Sequence, residues 1–279
     1  MGLKITQGKD VGKAIKERIL LYGAAGIGKT RAALSLTERF GKVAYYAADD
    51  GSEFLASIAP EKRDRVVVVK PSGDSPEKNF MGFCMQDWSK VDPAIGTLVV
   101  DTFSTLAHEV LQWSANNNVI DREKHYIVGD IKNGGQAIPN RGDYQAIESL
   151  SRGFLKNIFR LQADKHIIFI CHEEVKIMDN VRAVGGPSHP GRSLVDFLPG
   201  QFSTVIRLVR EPILVPGELV PRDVVVAITE NDGKFVAKLR TSSEDEKNPN
   251  PMKRVVLNVN PINLWQTYDS YMIKETNNG

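Results

Sequence analysis

The 279-residue chain is poor in the residues that mark several common protein classes. It has two cysteines, Cys84 and Cys171. They lie far apart and fit no metal-binding or CxxC spacing, which argues against a disulfide scaffold or a zinc module and for a reducing compartment. His108, His125, His166 and His189 share no ligand spacing either. No apolar run reaches the ~20 residues of a membrane-spanning helix, and the opening "MGLKITQGKD" has no apolar signal core. A cytoplasmic protein without a membrane partner is therefore expected. An excess of one charge is missing too: 36 Lys and Arg against 34 Asp and Glu leave a net +2. A uniformly basic, nucleic-acid-coating surface is excluded, so any nucleic-acid contact must gather its cations in a groove or loop.

What is present is alternation. "RILLYG" (18–23), "KVAYYAA" (42–48), "RVVVVK" (65–70), "TLVVD" (97–101) and "HIIFICH" (166–172) read as buried strands. Between them, 29–41, 78–90, 103–118 and 143–164 read as helices, the last with Ile147, Leu150, Phe154, Ile158 and Leu161 on one stripe. This order predicts an α/β fold: a mainly parallel central sheet with helices on both faces. After about residue 200, "FSTVIRLVRE", "RDVVVAIT" and "KFVAKLRT" predict antiparallel strands added at the C-terminal edge, with "ENDGK" as a tight turn. A short strand at 254–258 and a helix at 262–273 are expected beyond. One domain over 1–279 is predicted, with no second-domain boundary. Two polar, Gly/Pro-rich stretches, 129–143 and 173–201, read as long loops.

Chemistry concentrates at strand ends. "GAAGIGKT" carries GxxxxGKT after a strand and before a helix, the context of a phosphate-binding loop. Its glycines let backbone N–H groups approach phosphates, and the helix start adds a positive dipole end. Gly23, Gly26, Gly28, Lys29, Thr30 and Arg31 are the candidate nucleotide-binding residues. Lys29 would reach the β- and γ-phosphates, and Thr30 would ligate Mg²⁺. Asp101 ends an apolar strand and is the second candidate metal residue. Asp49 and Asp50, after the strand 42–48, are candidates for orienting an attacking water, with Glu53 in reserve; they can equally cap a helix. His172 ends the next core strand, where it can hydrogen-bond a phosphate or water. Lys238 and Arg240, two apart in a strand-like run, point to one face and form a candidate anion fork.

In this order the segments "GAAGIGKT", "YYAADDG", "TLVVDT", "IIFICH", "RSLVDFLPGQFSTVIRLVRE" and "AKLRT" resemble a RecA-type P-loop ATPase core over roughly residues 15–245, with 246–279 as an extension. Only some fifteen residues precede the first strand. In that respect the chain looks most like the short phage-encoded RecA-core ATPases, the phage nucleotide-binding proteins of the AAA class. Some of these act as single-strand annealing proteins beside a single-stranded-DNA-binding protein. The resemblance implies ATP with Mg²⁺, a phage or prophage protein in a bacterial host, and a homo-oligomer, ring or filament. Asp49 stands where the family usually carries Glu, one methylene shorter, and His172 where recombinases carry Gln. Lys238 and Arg240 match the pair that reaches a neighbour's nucleotide, with Arg240 as an arginine finger in trans.

In that family the two polar stretches hold the DNA-binding loops. Lys132 and Arg141 lie in the first, and Lys176, Arg182 and Arg192 in the second. Scattered cations with few aromatics suit phosphate contacts rather than base stacking. The expected function is ATP-dependent binding of single-stranded DNA for annealing or recombination. The alternatives are a nucleotide-dependent assembly switch without DNA, and a replicative helicase or loader motor.

Overall fold

A computed structural model describes residues 16–35, 40–49, 60–73, 75–117, 127–128, 136–178, 182–214, 219–239 and 254–257. Five strands alternate with helices in its first part: β1 (Arg18–Gly23), β2 (Lys42–Ala47), β3 (Val66–Val69), β4 (Ile95–Asp101) and, further on, β7 (His166–Met178). The helices are α1 (Lys29–Leu34), α2 (Pro60–Arg63), α3 (Pro76–Met85), α4 (Trp88–Val91), α5 (Phe103–Asn116) and α6 (Arg141–Leu161). Between α5 and α6 lies a small pair, β5 (Ile127–Val128) with β6 (Gln136–Ala137). The chain continues through β8 (Arg182–Pro187), α7 (Arg192–Gln201), β9 (Thr204–Ile213), β10 (Arg222–Ile228), β11 (Lys238–Leu239) and β12 (Arg254–Leu257).

The central sheet has the order β12-β10-β9-β1-β7-β4-β2-β3. From β9 to β3 every pairing is parallel, and β10 and β12 add antiparallel strands at the edge, as the sequence pattern predicts. Side chains alternate across strands, so each strand feeds two cores. Leu20, Tyr22, Ala44, Tyr46, Leu98, Val100 and Phe169 face α3, α5, α6 and α7. Ile19, Leu21, Val43, Tyr45, Val99, Ile168 and Ile170 face α1. On the first face Phe80 packs edge-on against Phe154 at 5.0 Å and Tyr46 at 5.3 Å, pairs each worth about 1 kcal/mol beyond their buried area. In the expected α6 stripe Ile147, Phe154 and Ile158 are buried, while Leu161 at the helix end is exposed. Asn140 caps α6 by accepting from Gly142 and Asp143 N–H, and Asp143 accepts from Asn140 N–H in return.

Three expectations are corrected. The stretch 173–201 is not a long loop. Its first part continues β7 and returns as β8, paired from Glu173↔Pro187 to Met178↔Arg182, and its last part is α7. Backbone pairing satisfies the polar main chain that a loop would leave to water. The stretch 129–143 ends in β6 and the first turn of α6. Among the described residues, the strand expected through "KFVAKLRT" is the two residues of β11, which pair with Val205 and Thr204 of β9. β10 and β11 therefore run collinearly along β9, with 229–237 as an excursion. The tight turn within it is present: Asp232 Oδ1 accepts from Lys234 and Phe235 N–H. The expected helix at 262–273 lies outside the described residues. Among the described residues no helix is long and apolar enough to cross a membrane.

Candidate active site

The carboxyl ends of β1, β7, β4 and β2 meet at one level. Gly23 pairs with His172, Asp101 with Ile170, and Ala47 with Asp101. Loops leaving these strands converge there, the place where ligands bind in open parallel sheets. The first loop runs from Gly23 to Lys29. Gly28 caps α1 at φ 97°, a left-handed conformation open to glycine, and no side chain caps the helix. Gly23 cannot carry a side chain, because a Cβ would lie 2.4 Å from the Leu208 carbonyl oxygen of β9. Above Gly26 the space is open: a Cβ there would meet no atom within 4 Å. Lys29 is buried, and its Nζ donates to the carbonyls of Gly23 at 3.0 Å and Ala24 at 2.8 Å. Burial lowers its pKa, opposed by the charges of Asp101 and Asp49. Arg31 is exposed on the helix surface.

Asp101 is buried at the end of β4, and its peptide bond to Thr102 is cis. Its Oδ2 accepts from the Thr30 hydroxyl at 2.5 Å and the Tyr45 phenol at 2.8 Å. Burial raises its pKa, while those two hydrogen bonds and, more weakly, Lys29 pull it back. An ammonium, a hydroxyl and a carboxylate thus stand beneath a loop with an open glycine. This donor set fits a triphosphate with a hard divalent cation, which prefers oxygen ligands.

Asp49 follows β2, and its charge acts on Lys29, Asp101 and His172. Ala48 N–H donates to the Asp101 carbonyl at 2.8 Å, which aligns the two strand ends. Asp50 and Glu53 lie outside the described residues. His172 is half-buried, and its pKa is lowered first by burial and then by the Lys29 charge, against Asp49. Its N–H donates to Ser104 Oγ at 3.0 Å, while Ser104 donates to the Ser188 carbonyl at 2.7 Å. Ser188 N–H closes the ring on the His172 carbonyl. The root of the β7–β8 hairpin is thus tied to the first turn of α5, next to Asp101. Beyond His172, the Glu173 carboxylate accepts from Arg207 Nε at 2.6 Å and a terminal nitrogen at 3.1 Å. The Arg207 guanidinium lies 3.1 Å from the centre of the Phe235 ring.

The structure brings Gly23, Gly26, Gly28, Lys29, Thr30, Asp101, Asp49 and His172 together. It places Lys238 elsewhere. That residue pairs with Val205, level with Leu20 and three residues before Gly23, about 10 Å down the strand. Arg240 and Lys132 lie outside the described residues. Arg141 is the exposed first residue of α6. Lys176 and Arg182 stand on the two arms of the hairpin, and Arg192 opens α7. Sequence reasoning missed Tyr45, Ser104 and Arg207, whose partners lie 56, 68 and 34 residues away. It also dismissed His189. This residue is buried with Nδ1 accepting from Gly191 N–H, so Nε2 carries the proton toward Ser151 Oγ at 3.0 Å. That histidine packs the hairpin end against α6 and α7.

A family described as AAA domain matches residues 15–241. No curated protein matches the sequence. Among solved structures, the chain is similar to a prototypical ATPase from the type III secretion system of pathogenic bacteria, with 15% identity and a TM-score of 0.44. The alignment covers 70% of this chain and 52% of that one, so the chain spans about half the length of that ATPase.

Proposed function

The chain belongs to the AAA domain family, and on that premise we propose that it is a Mg²⁺-dependent, RecA-like ATPase that binds single-stranded DNA for annealing or recombination in phage DNA metabolism. The observation that carries the nucleotide part is the Thr30–Asp101 contact of 2.5 Å beneath the glycine loop. Lys29 would exchange the Gly23 and Ala24 carbonyls for the β- and γ-phosphates. Thr30 and Asp101 would hold the magnesium ion, which when bound neutralises charge on the phosphate oxygens. Asp49 or Asp50 would orient the attacking water. His172, kept neutral by its surroundings, would hydrogen-bond the γ-phosphate or that water.

Two placements support the remainder. The hairpin begins at His172, so a change at the γ-phosphate has a short path to Lys176 and Arg182. Lys238 lies well below its own phosphate loop, which supports a role for Lys238 and Arg240 at the nucleotide of a neighbouring subunit. The net charge of only +2 favours, as the second reading, an assembly switch that uses nucleotide without DNA.

The deciding experiment is the ATPase rate at low salt, with and without single-stranded DNA, across protein concentrations. A rate per subunit that rises with both supports the first reading, and Arg240→Ala should then bind ATP but lose turnover. A rate that depends on concentration alone, with no DNA binding at low salt, supports the switch. Absence of ATP binding by the wild type and by Lys29→Ala alike refutes both.

A further inference from the structure

We propose that Tyr45 is a positioning residue that fixes which oxygen of Asp101 faces the metal ion, and so sets the magnesium dependence of nucleotide binding. The inference rests on the nucleotide and metal reading of the site given above. Three tyrosines near the site are fully buried, and they treat their hydroxyls differently. The Tyr22 phenol donates to a backbone carbonyl, that of Val236. The Tyr46 phenol has no hydrogen-bond partner among the described residues. Tyr45 donates to Asp101 Oδ2 at 2.8 Å. A position that needed only volume is served at least cost by phenylalanine, since a buried hydroxyl left without a partner, as at Tyr46, costs free energy. Here the partner is the buried carboxylate of the site.

The geometry around that carboxylate is one-sided. Tyr45 reaches it from β2, and Thr30 reaches the same oxygen from α1 at 2.5 Å. With two hydroxyl donors, Oδ2 has its lone pairs engaged. Among the described residues no hydrogen bond reaches Oδ1. The carboxylate is therefore pinned by one oxygen and presents the other. Thr30 holds that oxygen from the start of α1, directly after the phosphate loop, so its hold is shared with the nucleotide site. The Tyr45 hydroxyl also lies within hydrogen-bond reach of Thr30, so the two hydroxyls and Oδ2 form one cluster. Tyr45 sits in β2 beside Val99 of β4, so its ring is placed by the sheet rather than by the phosphate loop.

The test is Tyr45→Phe, which removes one atom from the core. Binding of a fluorescent, non-hydrolysable ATP analogue is measured in EDTA and across a magnesium titration. The affinity in EDTA should stay within about two-fold of wild type, while the magnesium concentration for half-maximal enhancement rises about ten-fold. Asp101→Asn should lose the magnesium response altogether. Val99→Ala, a packing control beside Tyr45, should lower the melting temperature and leave the magnesium midpoint in place. Tyr45→Met, a smaller but flexible apolar side chain that adapts to the gap, serves if Tyr45→Phe does not fold. A folded variant that responds to magnesium as the wild type does, or that loses affinity equally with and without it, overturns the proposal. A wild type whose nucleotide binding ignores magnesium overturns both this inference and the metal reading beneath it.

Discussion

Arg207→Lys keeps the charge of the side chain and should nonetheless loosen the root of the β7–β8 hairpin. In the native protein Arg207 makes two charge-assisted bonds to Glu173, at 2.6 and 3.1 Å, and lays its flat face on Phe235. Its side chain is 13% exposed and that of Glu173 16%, so solvent screens the pair only slightly. A lysine ammonium can hold one carboxylate oxygen but cannot fork or stack. One lost charge-assisted bond is worth roughly 1.5 kcal/mol, and the lost stacking roughly 0.5–1 kcal/mol. The expected cost is about 2 kcal/mol, or a fall of roughly 4–8 °C in melting temperature for a chain of this size. Arg207→Ala should cost more, about 3 kcal/mol, because it leaves Glu173 sequestered without a partner. The backbone of β9 is paired on both sides at this residue, so the substitutions leave the sheet in register. Equilibrium urea unfolding of Arg207→Lys, Glu173→Gln and the double variant measures the coupling. Hydrogen exchange over 173–187 should accelerate in the same variants. An Arg207→Lys protein within about 0.5 kcal/mol of wild type, or additive single effects, would refute the reasoning.

Two further outcomes follow from the same geometry. Gly23→Ala should destabilise the protein by about 2 kcal/mol, because its Cβ meets the Leu208 carbonyl held in the sheet; a urea midpoint equal to wild type would show that β9 yields. His172 resists protonation in the folded state, while the unfolded chain takes the proton near pH 6.5. The unfolded state therefore binds more protons below that value, and stability should fall as pH drops from about 7.5 to about 5.5, a slope that His172→Gln should flatten.

The sheet was legible because its signal is local. Runs such as "TLVVD" and "HIIFICH" are too apolar and too short for anything but covered strands, and GxxxxGKT fixes a strand before it and a helix after it. The hairpin after His172 was misread because Gly185, Gly186 and Pro187 suggest a loop by composition. The β-branched residues on either side of Asp179 and Asn180 were the overlooked hairpin signal. Gly185 has a tertiary reason that no local pattern carries: a Cβ there would lie 1.9 Å from the Phe235 ring. The same holds for Tyr45, which reads as one more strand aromatic until β4 is laid beside β2. Side chains whose role lies in a partner many residues away become visible only when the sheet order is known.

That order has a consequence for synthesis of the chain. β1, which carries the phosphate loop, finds both neighbours late: β7 begins at His166 and β9 ends at Ile213. At typical translation speeds, β1 waits on the order of 10–40 s after leaving the ribosome's active centre before the last of them exists. During that interval six mostly apolar residues and the adjoining loop have no ladder to join. Nucleotide cannot help the nascent chain to fold, because the pocket that would grip it is assembled only near the end. The newborn protein must therefore commit to its architecture unaided, and chaperone capture should favour nascent chains shorter than about 210 residues.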